Sequence, residues 1–473
     1  MTAQKEIRQI VCGGCLGYGF DKDIFLEAIL RNRPDYITYD CGSIDPGPYY
    51  LGEGVCFIPK IAVKMDLEIA LSAGISNKIP VILTSAGGSG ANAHLNFLLE
   101  VIKELAKERH LTFKLAAISA EIDKEFLKKE ATQQVIQPLG PEKALTVEEI
   151  DRSNRIVAQM GVEPIIKALE TGADVILAGR ACDEMAGCAL PMLKGFDKGL
   201  ALHMGKILEC GSQCIERARG RRSSVLGILR EDHFLIEPAD LESKATVESV
   251  TKHCAYEERN PVWIEGPGGA IDASDAKFEQ LNDRVVKVSG TRFKKADKYT
   301  LKLEGAAFVG YRTIIIGGNR SQEMIDIIDW CLEDTITKAH DFFKDVPQND
   351  YKIYFHVYGK NGVMGDREPV VKTKSHELGI VTEVVAKTQD IADAVAHFVA
   401  GTRLHHMDYP GSLNRSCGNM AFMSSPLEFQ NKAYELNIHH LLVVDDPCAL
   451  FPITVHQIGQ EWVKNKKKET KPR

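Results

Sequence analysis

Gly179-Arg180-x-x-Asp183 closes an apolar run, Asp174 to Ala178 (DVILA), just ahead of a helix-like stretch. An arginine grips a carboxylate through paired N–H···O bonds, and an aspartate beside it exchanges protons if burial lifts its pKa. A second carboxylate, Asp40, ends the run Tyr36 to Asp40 and is followed by Cys41-Gly42-Ser43. Two carboxylates in different surroundings suit the addition or removal of water, or the breaking of a carbon–carbon bond next to a carboxylate. Aspartates at strand ends also cap turns and helices, and residue type alone does not separate the two uses.

Three glycine-rich turns, the one at Gly179 among them, follow strands and offer backbone N–H groups to an anion at a helix start. The first, Cys12 to Gly19 (CGGCLGYG), supplies Gly13, Gly14, Gly17 and Gly19. Its Cys12-x-x-Cys15 spacing fits a redox pair or half of a zinc site, but Cys12 lies on a strand pattern and no second such pair completes four ligands, so a tight turn is the preferred reading.

The second turn, Thr84 to Ala93 (TSAGGSGANA), satisfies G-x-G-x-x-G/A from Gly88 to Ala93. A dinucleotide site also expects an acid about twenty residues on, at the end of the next strand, and the nearest there is Glu121. General binding of a phosphate, carboxylate or CoA-like anion is therefore preferred to nicotinamide. Ser43, Ser85, Gly87, Gly88, Gly90, Asn92 and Glu209 complete the expected binding set. Ser85 and Ser89 lack a G-x-S-x-G elbow or a recognisable His-Asp order, which argues against a covalent hydrolase. His405-His406-x-Asp408 is the one histidine cluster and falls at a predicted helix end, where cations suit the dipole. No metal is assigned, and no cofactor can be named.

Alternation of β-branched runs with amphipathic helical patterns must position these groups. Strands are predicted at Arg8 to Cys12, Tyr36 to Asp40, Val81 to Ser85, Lys114 to Ser119 and Asp174 to Ala178. Helices are predicted at Asp23 to Arg31, Lys60 to Ala73, Ala93 to Glu108 and Gly161 to Thr171. This is the rhythm of an α/β fold with a parallel Rossmann-like sheet, whose ligands bind outside the carboxyl ends of the strands.

From about Glu216 the cluster Arg217, Arg219, Arg221 and Arg222 is followed by shorter strand-like pieces separated by Pro and Gly, as in Asn260 to Gly269, and the stretch reads as an irregular connecting segment. Beyond Gly305, strand Arg312 to Gly317, helix Gln322 to Phe343, strands Tyr351 to Tyr358 and Gly379 to Ala386, helix Ile391 to Leu404 and a short strand near Ala421 spell the ferredoxin-like α+β order. The domains expected are 1–215, an extension 216–304 completing it, a smaller 305–460, and a basic solvated tail 461–473.

At 473 residues the chain exceeds one ordinary core. A net charge of -7 with 58 Lys+Arg against 65 Asp+Glu gives no reason to expect nucleic acid as a partner. The start lacks a basic segment leading into a long apolar one, and no window reaches membrane-spanning length. With twelve cysteines scattered mostly in apolar runs, a cytoplasmic protein without a disulfide framework is expected.

Gly179-Arg180-x-x-Asp183, followed by Gly205-x-x-Leu208-Glu209-Cys210-Gly211-x-Gln213, resembles the acyclic terpene utilisation (AtuA-type) family. Tyr36 to Ser43, Thr246 to Pro261, Pro267 to Gly269, Val285 to Gly290 and Leu303 to Ile314 look like the same family, so the resemblance covers most of residues 7 to 320. It implies catabolism of small carboxylates or acyl-CoA compounds, with a lyase-type role. Residues 305 to 460 lack the "SGDKG"-type segment of the family's namesakes, which puts a terpene substrate in doubt.

The resulting expectation is a lyase or hydratase for a small branched carboxylate or its CoA ester, with Arg180 anchoring a carboxylate and Asp183 and Asp40 exchanging protons. A homo-oligomer is expected. An NAD(P)-dependent oxidoreductase and a non-catalytic subunit of a carboxylate-catabolic complex are the alternatives.

Overall fold

The computed structural model describes residues 5–133, 135–218, 222–404, 418–420 and 429–459. Two compact units divide the chain, one built from 1–307 and 436–473, the other from 308–435.

The first unit is mixed α/β. Five strands, β1 (Glu6–Val11), β2 (Tyr36–Asp40), β3 (Val81–Thr84), β4 (Phe113–Ile118) and β5 (Val175–Ala178), lie parallel in the order β1-β2-β3-β5-β4. Residues such as YITY, VILT and VILA are buried on both faces, which is why these strands read as nearly unbroken apolar runs. Alternation assigns the faces: Tyr36 and Ile82 pack on one side, Ile37, Tyr39, Val81 and Leu83 on the other.

Helices Lys22–Asn32, Lys60–Asn77 and Asn92–Arg109 cover the second face; Val162–Glu170, Met185–Leu193 and Lys198–Leu208 cover the first. Asp21, Asp123 and Asp197 start their helices by accepting backbone N–H bonds two or three residues into the first turn.

The sheet is not purely parallel. The stretch expected to be an irregular connection folds largely into strands: Val225–Arg230 pairs antiparallel with β1, and His233–Pro238, Val285–Ser289 and Lys277–Asn282 extend the sheet outward. Its pieces are short and split by turns, so none reaches a length at which the local pattern is persuasive. At the other edge Ile453–Ile458 pairs antiparallel with β4, making ten strands. Trp263–Gly266, Gly269–Asp272 and Arg292–Lys295 form a separate antiparallel sheet in the same unit.

In the second unit, Tyr311–Asn319 pairs antiparallel with Leu378–Ala386, which pairs antiparallel with Tyr351–Tyr358. Leu378–Ala386 is buried at every other position: Val384 and Ala386 pack with Ala339 and Val395 of helices Ile328–Phe342 and Gln389–Ala396, and Leu378 and Ile380 with Ile328 and Cys331. The strand expected near Ala421 falls at Gly418–Met420, against Gly317–Asn319. Ala421 itself, His405, His406, Asp408, Arg219, Arg221 and the tail 461–473 lie outside the described residues. Among the described residues no helix is long and apolar enough to cross a membrane.

Candidate functional site

Asp40 ends β2, Thr84 ends β3, and Arg180 and Asp183 follow β5, so all four gather at the carboxyl edge of the parallel strands. The edge holds more charge than the sequence suggests, and its partners come from distant segments.

Arg180 does not face an open cleft. Its Nε donates to Glu304 Oε2 at 2.8 Å and Nη2 to Oε1 at 3.4 Å, with both side chains at most 4% exposed. Glu304 also accepts from Gln159 Nε2 at 3.0 Å and pairs with Lys302 at 3.1 Å. Burial opposes both charges, but each outweighs it for the other: Arg180 is held protonated and Glu304 is kept below the usual carboxylate range. Arg180 Nη1 donates to Ser85 Oγ at 3.2 Å, and that hydroxyl bonds Ala181 O at 3.3 Å. Ser85 thus props the arginine turn, and the expectation that Arg180 anchors a substrate carboxylate meets a guanidinium already engaged.

Asp183, partly exposed, pairs with Lys206 Nζ at 3.0 Å. Burial would raise its pKa, but Lys206 and Arg180 prevail and lower it, so the expected lift does not occur. Lys206 also pairs with Glu209 at 2.9 Å and Glu258 at 3.1 Å. One ammonium among three carboxylates cannot neutralise them all, and burial together with Asp183 pushes Glu209 well above its ordinary value.

Among the described residues Asp40 has no cationic hydrogen-bond partner. Thr84 Oγ1 donates to it at 3.4 Å, and burial plus the charge of Asp183 pushes its pKa up to about 7, against the pull of Arg180. The two aspartates that look alike in sequence therefore separate into one poised to change charge near neutrality and one kept ionised.

The glycine turns serve backbone approach. A Cβ on Gly90 would sit 2.0 Å from Arg180 N, and Arg180 N–H donates to Gly90 O at 3.2 Å. A Cβ on Gly14 would meet Cys210 O at 3.2 Å, which brings the first turn against the Glu209-Cys210-Gly211 segment. The Gly17 and Gly19 N–H groups donate to Asp66 Oδ2 at 2.8 and 3.0 Å, so an internal carboxylate occupies the place expected for a ligand anion. Likewise Glu121 accepts Asn92 N–H at 2.8 Å at the start of Asn92–Arg109, while Ser119 donates to the Asn92 side chain. The acid considered for a ribose instead closes the helix end, which speaks against a dinucleotide there.

Gly13 packs against Phe20, Gly87 against His94 and Gly88 against Phe57, and Ser43 Oγ turns to Asp45. Cys12 and Cys15 are free thiols with pKa values raised by burial, a poor setting for redox use. Among the described residues no group of three or more His, Cys, Asp or Glu is placed to hold a metal.

Sequence reasoning missed Lys206, Glu304, Gln159 and Arg222. The spacing of Lys206 and Glu209, three apart on one helix face, was a legible signal; the recruitment of Glu304 from far along the chain was not. Arg222 stacks over Tyr18 at 4.6 Å from the ring centre, beside Gly14, and no carboxylate pairs with it among the described residues. The charge of Arg222 lowers the pKa of Cys15 while that of Asp40 raises it.

A model of the family described as acyclic terpene utilisation family protein AtuA matches residues 57–424, most of the 473. The match extends past residue 320, where the resemblance read from the sequence stopped. No curated protein and no solved structure matches the chain. The chain belongs to the AtuA acyclic terpene utilisation family.

Proposed function

We propose that this chain is a catabolic enzyme of lyase or hydratase type acting on a small branched carboxylate or its CoA ester, in line with the utilisation of acyclic terpenes that its family name describes. The observation that carries the reading is the split pair on one strand edge: Asp40 raised to about 7, Asp183 held down by Lys206. Titratable groups whose surroundings drive them apart are how one fold performs acid and base chemistry at neutral pH. Asp40 takes or returns the proton next to the substrate carboxylate. Asp183 stays charged and keeps Asp40 from ionising early. Arg222 takes the anchoring role first expected of Arg180, and the Arg180–Glu304 pair positions the turn.

The strand order supports a Rossmann-like reading of the parallel core and a ferredoxin-like reading of the second unit. Free thiols favour a reducing, cytoplasmic setting, and a homo-oligomer remains part of the proposal.

The test is deuterium uptake from heavy water into 3-methylglutarate and its CoA ester, chosen as branched probes. Exchange by the wild type that falls at least about a hundredfold in Asp40→Asn, with Asp40→Glu retaining part, supports the reading. Exchange at wild-type rate in Asp40→Asn overturns it.

A further inference from the structure

A cleft of about 540 Å³ lies beside the small antiparallel sheet of the first unit, a size that suits a small-molecule site. Four lysines line it: Lys294, Lys295, Lys298 and Lys302. Lys302 pairs with Glu304. The other three have no ion pair among the described residues; Asp272 feels the charge of Lys294 but takes its hydrogen bonds from Ser274. Glu265, the one carboxylate in the lining among the described residues, accepts the indole N–H of Trp263 at 3.4 Å. That bond holds the edge of a ring which is 42% exposed and also lines the cleft.

Concentrated positive charge on a chain of net -7 calls for a local anion. Lys294, on the Trp263 face of its strand, and Lys298, in the turn after it, bring two uncompensated ammonium groups, and Lys295 leaves the strand end from the opposite face; together they exceed what a single carboxylate needs, and match a diphosphate. An exposed indole in the same lining gives a flat apolar surface for a heterocyclic base, and stacking of this kind is sequence-tolerant and favourable. A concave cleft of this volume holds one nucleotide rather than a polynucleotide track.

We propose that this cleft binds a nucleoside diphosphate moiety, with Lys294, Lys295 and Lys298 on the phosphates and Trp263 against the base. Two sources share that chemistry, a free nucleotide and the carrier end of an acyl thioester. The lining ends inward at Cys182, next in sequence to Asp183, and at Gln159, which is bonded to Glu304. A thioester seated here directs its acyl end toward the carboxylate edge; that corollary rests on the proposed proton chemistry, while the phosphate site itself does not.

Calorimetric titration of the full chain with coenzyme A, ADP and inorganic pyrophosphate tests the site, with tryptophan fluorescence as a second readout. Expected are binding of coenzyme A and ADP, and quenching that disappears in Trp263→Phe. At least about tenfold weaker binding is expected in a Lys295→Glu, Lys298→Glu double variant, whose changes are on exposed side chains. Coenzyme A binding at least about tenfold tighter than ADP identifies the thioester carrier; equal affinity identifies the free nucleotide. No binding of either, pyrophosphate binding as tightly as ADP, or indifference to the charge reversal overturns the proposal. Asp40→Asn binds coenzyme A as the wild type does, so failure of the proton chemistry and failure of this site are read separately.

Discussion

Around Arg180 and around Asp40 the same kinds of residue meet at one sheet edge with opposite results. Arg180 and Glu304 are buried, bidentate and further braced by Gln159, Lys302 and Ser85, so both stay charged. Asp40 has a hydroxyl for a partner and a negative neighbour, so burial drives it toward the neutral form. Partners, more than burial, decide whether an ionisable group keeps its charge. A compensated pair makes a rigid support; an uncompensated carboxylate makes a group that changes protonation where the cell operates.

The comparison breaks first at Asp40. Replacement by Asn is expected to lower turnover by about 10²–10⁴-fold while leaving the urea midpoint at or above that of the wild type. A large loss of stability with little loss of exchange would show that Asp40 belongs with the support instead. Glu304→Gln should do the reverse: it leaves Arg180 buried against a neutral amide and costs about 3–5 kcal/mol in urea denaturation.

Stability against pH sharpens the contrast. The native protein holds the Asp40 proton up to about pH 7, whereas an unfolded aspartate releases it near about pH 4. Between those limits the native state binds more protons than the unfolded chain, so this group lowers stability as pH rises. Relative to Asp40→Asn, the wild type should lose up to about 1.4 kcal/mol per pH unit across that window and change little above it. Asp183, with its lowered pKa, contributes stability above the unfolded value that is lost on acidification, so Asp183→Asn should give a difference of the opposite slope at acid pH.

The smallest effects belong to charges outside this edge. Glu121→Gln weakens the closure of the Asn92 helix start by about 0.5–1 kcal/mol, read as a shift in thermal midpoint. Lys252→Ala, which removes an exposed pair with Glu248, should leave the thermal midpoint unchanged.

The parallel core was legible because its strands are apolar on both faces and its helices repeat at three and four residues; β2 matches residue for residue, and the other strands differ by one or two residues at their ends. The antiparallel extension from Val225 to Ser289 and the return of Ile453–Ile458 to β4 were not, since their pairing is distant and each piece is short. Asp40, Arg180, Asp183 and Glu209 were named from their places after strands and from the family-like segment, and the structure brings Asp40, Arg180 and Asp183 to one sheet edge with Glu209 joined through Lys206. Their roles were assigned less well: Gly17, Gly19 and Asn92 looked like an anion cradle until Asp66 and Glu121 were brought to them by the fold.

Local pattern by itself determined that this is an α/β chain and which polar residues follow its strands, because periodicity and turn residues are properties of neighbours in sequence. Only the tertiary structure decided which charges are paired. Arg180 meets Glu304, and Lys206 meets Asp183 and Glu258, through segments apart along the chain, while Glu209 lies only three residues from Lys206. A pKa responds to whatever charge the fold brings within a few ångströms, and spacing in sequence does not carry that distance.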